Sequence, residues 1–112
     1  MASTITDRVT NVVSGIAVTT GYGIISLTNV AGTNTVTADT APAIDGYVTN
    51  MYFSGRPANA NTGPVDVNFG EGGLVNLLKP NGDELAAGEF DPNLEYLIKF
   101  NGTEMRIVTP SF

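Results

Sequence analysis

The stretch LEYLIKFNGTEMRIV, residues 94–108, is the sharpest guide to the fold. Leu94 to Phe100 is apolar except for Glu95 and Lys99. The Asn-Gly pair at 101 and 102 suits a tight hairpin turn, which predicts a strand folded back against Thr103–Val108.

The same alternation recurs upstream. Val65, Val67 and Phe69 fall on one face of a strand, with Asp66 and Asn68 opposite, the period of two that a half-buried sheet requires. Gly70, Gly72 and Gly73 then lead into LVNLLK, and KPNGDELAAGEFDPN supplies a series of turns marked by Pro80-Asn81-Gly82 and Asp91-Pro92. Ile24, Ile25 and Leu27 form an earlier apolar strand, and Thr35 and Thr37 alternate with Val36 in the next. Ala31 to Asn34 reads as the hairpin connection between them. Pro42 and Gly46 interrupt pairing, with Ile44 expected to tuck beneath that connection. Tyr47, Val48, Met51, Tyr52 and Phe53 form an aromatic-rich stretch whose ordinary role is core packing.

These elements predict an all-β fold, a compact β-sandwich or partly closed barrel with seven or eight short antiparallel strands. A chain of 112 residues suffices for one domain. We divide it into an N-terminal arm or added strand at 1–21 and a β-structured module at 22–112. In the first part Val9, Val12 and Val13 can cover one side of a short helix, while Ile16 and Val18 fit the start of a strand; the extended reading is preferred.

Composition narrows the chemistry. The formal net charge is −6 and the five basic residues, Arg8, Arg56, Lys79, Lys99 and Arg106, are scattered, which disfavours nucleic-acid binding through phosphate neutralisation. There is no run of apolar residues long enough to suggest membrane insertion, and MASTITDRV lacks the pattern of a signal segment. The expectation is a soluble product synthesised in the cytosol. Histidine and cysteine are absent, which removes Ser-His-acid triads, Cys-His nucleophiles and the common zinc sites.

Ser14 and Ser54 lie in no activating motif, and their hydroxyls suit turn hydrogen bonds. Asp83-Glu84 and Glu89-Asp91 can serve as acid pairs only if opposed across a cleft; solvated turns are the plainer reading. The NFGEGG stretch at 68–73 lacks the Lys-Ser or Lys-Thr ending of a phosphate loop. Asn59 and Asn61 suit either carbohydrate contact or turn stabilisation. We expect no enzymatic activity, with no catalytic, cofactor-binding or metal residues, and no cofactor.

The strings SLTNVAGTNTVTADTAPAIDGYVTNMYF, RPANANTGPVDVNFG and GDELAAGEFDPNLEYLIKFNGTEMRIV, taken in order, resemble a β-structured module of tailed-bacteriophage virion proteins, especially tail-fibre and other surface-fibre proteins. The resemblance spans residues 23–108. The positions it carries over are Gly32, Thr33 and Asn34; Asn59, Asn61, Thr62 and Gly63; Ala86, Ala87 and Gly88; and Asn101, Gly102 and Thr103. All are architectural turns. The chain departs from the pattern at FGEGGLVNLLK, where relatives carry an Asn-Gly-Leu-Gly-like turn and a basic start to the next strand.

The resemblance implies a location in the virion, frequent homotrimerisation and protein scaffolding. We therefore expect a non-enzymatic virion structural protein, a capsid decoration or cement protein or short adaptor, in contact with other virion proteins such as the major capsid protein. The alternative is a tail-fibre or head-fibre attachment module that recognises a bacterial surface receptor. Val9, Val12, Val13 and Ile16 are the expected attachment contacts, and Met51, Tyr52 and Phe53 the expected subunit-packing residues, with edge strands as further points of attachment.

Overall fold

A computed structural model describes residues 23–112. The arm at 1–21, and with it Val9, Val12, Val13 and Ile16, lies outside the described residues. Seven strands follow: β1 (Ile25–Ala31), β2 (Thr35–Ala41), β3 (Tyr52–Gly55), β4 (Val65–Phe69), β5 (Leu74–Leu78), β6 (Tyr96–Phe100) and β7 (Met105–Thr109). They close into a barrel in the order β1-β2-β4-β5-β7-β6-β3, with β3 paired back to β1. The fold is thus all-β, and of the two architectures the sequence allowed it is the barrel, fully closed.

Strand direction alternates along the chain, so odd strands run one way and even strands the other. Neighbours of like parity are therefore parallel: β1 with β3, β2 with β4, and β5 with β7. The remaining contacts are antiparallel. The expected purely antiparallel sheet is corrected here to a mixed one. The reason lies in the segments 42–51, 56–64 and 79–95, which cross an end of the barrel and skip at least one strand.

Every described strand has a neighbour on both sides. Attachment through an edge strand, expected from sequence, is accordingly not served by β1–β7; closure removes the edge that such pairing needs.

The interior follows the period of two. Val36 and Ala38 of β2, Val65, Val67 and Phe69 of β4, Tyr96, Ile98 and Phe100 of β6, and Met105 and Ile107 of β7 are all buried. Each such large side chain contributes about 1.5–3 kcal/mol on leaving water. Phe53 and Phe69 meet with ring centroids 5.2 Å apart. Ile25 is buried as the first residue of β1, whereas Ile24, just outside the strand, is 58% exposed.

The barrel has two mouths, each covered. At the near end, where residue 23 joins β1, the 42–51 segment contributes Ile44 and Met51, both buried, and the half-buried Tyr47. The Tyr47 ring stacks at 5.0 Å from Phe100 and meets Phe53 edge-on at 6.1 Å. Its hydroxyl donates to the Gly73 carbonyl at 2.7 Å and accepts from the Phe69 N–H at 2.9 Å. Burial pushes the Tyr47 phenol above its ordinary pKa. At the far end, the 79–95 segment contributes buried Leu85 and Phe90, the latter 4.8 Å from the Tyr96 ring.

The hairpin that organised the sequence reading is present, with a longer turn than the two-residue form expected. Phe100 pairs with Met105 and the turn is Asn101–Glu104. Asn101 N–H donates to the Glu104 carbonyl at 3.1 Å, and its side-chain Oδ1 accepts from the Thr103 and Glu104 N–H groups, both at 3.0 Å. The side chain thereby performs the closing that a shorter turn leaves to backbone.

Gly72 packs directly beneath Tyr47, and a methyl group built on it falls on the ring. Gly72→Ala is therefore expected to displace the near-end lid and destabilise the protein by about 1–3 kcal/mol. Gly46→Ala, in open space with ordinary φ, should be neutral or slightly stabilising. Paired urea unfolding curves measure both, and equal midpoints for the two variants would contradict the lid.

Candidate functional site

Three of the four turn motifs named from sequence converge at the far end. Asn34 and Thr62 bond reciprocally: Asn34 Nδ2 donates to Thr62 Oγ1 and Thr62 N–H donates to Asn34 Oδ1, each at 2.9 Å. Asn59 Nδ2 donates to the Gly32 carbonyl at 3.2 Å. These bonds tie the β1–β2 turn to the 56–64 segment.

Asn61 ties that segment to the far-end lid. It is 2% exposed. Its Nδ2 donates to the carbonyls of Gly63 at 2.7 Å and Ala86 at 2.9 Å, its Oδ1 accepts from Phe90 N–H at 2.9 Å, and its carbonyl accepts from Gly88 N–H at 2.8 Å. A buried amide with both donors used and its oxygen occupied has little left for a ligand. Of the two readings of Asn61, carbohydrate contact and turn stabilisation, the geometry serves the second.

A second hub adjoins the first. The Tyr96 hydroxyl accepts from Asp91 N–H at 2.7 Å and donates to the Glu89 carbonyl at 2.9 Å. Burial raises the Tyr96 pKa. The Glu89 carboxylate accepts from Ala86 N–H at 2.7 Å and pairs with Lys79 at 2.9 Å. Those bonds, Lys79 first, hold its pKa below the usual carboxylate value.

Three of the four acids singled out from sequence are engaged locally, and Glu84 borders an open groove. Asp83 accepts from Asn81 Nδ2 at 3.0 Å and Asp91 from Asn93 N–H at 2.8 Å. Among the described residues no group of three or more Asp or Glu gathers as a metal site. A shallow groove of about 190 Å³ on the barrel wall is bordered by Asn34, Thr35, Asp66, Asn76 and Glu84. Thr35 donates to Asp66 there at 2.8 Å.

Among the described basic residues, Lys99 and Arg106 are register partners across β6 and β7. Arg56 meets Glu95 at 3.3 Å, Arg106 meets Glu104 at 2.8 Å, and Lys99 lies 5.8 Å from the Tyr52 ring centroid.

The fourth motif, Asn101, Gly102 and Thr103, stands apart at the near end. That end also exposes apolar side chains: Ile24, Val48 at 45% and Leu74 at 58%. Of the expected subunit-packing residues, Met51 and Phe53 are buried in the chain's own core. Their side chains are consumed within one protomer, which corrects that expectation. Tyr52, on the opposite face of β3, is half-buried and keeps an outward surface.

Sequence reasoning did not single out Tyr96, Tyr47, Leu85 or Phe90 for the roles they hold. Leu85 and Phe90 carried a signal, as lone large apolar residues in a turn-rich segment. The tyrosines had none beyond their ability to join an apolar ring to a hydrogen-bonding tip.

Comparison with protein-family models, curated proteins and solved structures finds no match to this chain.

Asn61→Ala leaves two carbonyls and one N–H without their partner. The expected loss is about 2–4 kcal/mol, since each buried group left unsatisfied costs about 1–3 kcal/mol and water recovers part. Asn61→Asp, which sets a carboxylate against two carbonyl oxygens, should lose at least as much at neutral pH. Urea unfolding measures both; a loss below about 0.5 kcal/mol, the range of an ordinary surface change, would show that Asn61 does not hold the lid.

Proposed function

We propose that this chain is a non-enzymatic structural protein of a tailed-bacteriophage virion, a capsid decoration or cement protein or short adaptor that acts through repeated protein contacts. The ordered strings of residues 23–108 support the virion setting. The observation that carries the structural role is the exposed apolar rim beside the incoming chain. The near end, where residues 1–22 join, exposes Ile24, Val48 and Leu74. The far end holds turns cross-tied through Asn34, Asn61 and Tyr96, with Leu94, Val108 and Phe112 exposed around them.

An exposed apolar rim beside the incoming chain suits burial against another protein. The Val9, Val12, Val13 and Ile16 positions then extend the same contact along the chain. In a homotrimer bound to the major capsid protein, three such contacts act together, so each can be weak while attachment is strong. Tyr52 is the surviving candidate for packing between copies.

The alternative reading, a fibre attachment module, draws on the far end. Rigid turns held by side-chain hydrogen bonds suit recognition of a bacterial surface, because little ordering remains to be done on binding. Both readings use the same two ends and differ in where the protein sits.

An in situ density map of virions carrying the labelled full chain separates them. The expected result is copies distributed over the capsid lattice, with occupancy reduced when residues 1–15 are deleted and the barrel's circular dichroism unchanged. Copies confined to fibres or tail would favour the alternative; no copies on the virion would overturn both.

A further inference from the structure

Two Asn-Gly pairs lie in exposed turns, Asn81-Gly82 and Asn101-Gly102, each with its glycine at positive φ, 94° and 105°. Asparagine is a thermolabile residue, and glycine after it leaves the following nitrogen unshielded. Hydroxide removes the glycine amide proton, the nitrogen bonds to the asparagine Cγ, and the Cγ–Nδ2 bond breaks to release ammonia. Water then opens the resulting succinimide at either carbonyl, giving aspartate or isoaspartate. One water is consumed, one ammonia leaves, and nothing is oxidised or reduced.

The fold treats the two pairs differently. At the first, Gly82 N–H donates to the Lys79 carbonyl at 2.9 Å, and Asn81 Nδ2 donates to Asp83 at 3.0 Å. The attacking nitrogen and the leaving group are both engaged. Asn81 Oδ1 accepts one bond, from Asp83 N–H at 3.0 Å.

At the second pair, among the described residues, neither Gly102 N–H nor Asn101 Nδ2 has an acceptor. Asn101 Oδ1 instead accepts two N–H bonds, from Thr103 and Glu104, each at 3.0 Å. As the nitrogen attacks Cγ, negative charge develops on that oxygen. Two fixed donors within about 2.7–3.1 Å are the arrangement that stabilises such an oxyanion.

We infer that Asn101 is a spontaneous deamidation site of the folded protein, converted in preference to Asn81. The aspartate product keeps an acceptor for the Thr103 and Glu104 N–H groups, so the hairpin survives with one more negative charge. Isoaspartate lengthens the backbone by a methylene and shifts Gly102 against Thr49, whose hydroxyl lies 3.1 Å from a Cβ built on that glycine.

The test is site-resolved peptide mass spectrometry on the full chain, aged in mildly alkaline buffer either folded or in unfolding urea. In the folded protein Asn101 should convert about two- to tenfold faster than Asn81, the factor that one ordinary retained hydrogen bond is worth. In urea the two rates should converge. Equal or faster conversion at Asn81 in the folded protein would overturn the inference. So would the same preference in urea, or an Asn101 that converts only when unfolded. Asn101→Asp supplies the product standard and reports by circular dichroism whether the hairpin tolerates it.

Discussion

Closing the sheet is the constraint from which the rest of this structure follows. A closed barrel of short strands has two open mouths, and a chain that joins non-neighbouring strands must cross them. The crossing segments carry backbone N–H and C=O groups over an apolar interior, where each must find a partner. At the near end Tyr47, itself on a crossing segment, ties the lid to the Phe69 N–H and Gly73 carbonyl at the β4–β5 connection. At the far end Asn61 and Tyr96 divide the work, satisfying groups of Gly63, Ala86, Glu89, Phe90 and Asp91. Side chains thus do for the lids what the ladder does for the strands.

The same constraint gives the two ends different lids. The near-end lid is sealed by aromatic contact and leaves an apolar rim beside the incoming chain. The far-end lid is tied by amide and hydroxyl bonds, with Leu94, Val108 and Phe112 exposed around it. A body of this kind offers an apolar rim beside the incoming chain for protein contact and a fixed set of turns at the other end for display. That division supports the proposed virion role and explains why decoration and fibre attachment are the two readings it favours.

The strands were legible because a period of two is a local property. Val65, Val67 and Phe69 declared the buried face of β4 directly, and the 94–108 stretch declared its hairpin. The turns at 31–34, 59–63, 86–88 and 101–103 were also legible, since glycine and asparagine mark them by conformational need. Parallel pairing and closure were hidden, because they depend on which segment crosses which mouth. The fate of single residues was hidden for the same reason. Asn59 and Asn61 look alike in ANANTG, yet one stays exposed while the other is buried beneath residues 86–90, with bonds to partners 25 and 29 residues later. Met51 and Phe53 were read as core by their ordinary role and as candidates for an interface, and closure placed them inside.

Hydrogen exchange resolved at single amides tests the lid account most directly. Phe90 and Asp91 belong to no strand, yet their N–H groups are held by Asn61 and by Tyr96. The account predicts that both exchange as slowly as the barrel amides of β4 and β6, because they open only when the barrel opens. Exchange at the rate of the exposed Asn93 or Thr103 amides would contradict it, and would mean that the far end is covered without being locked.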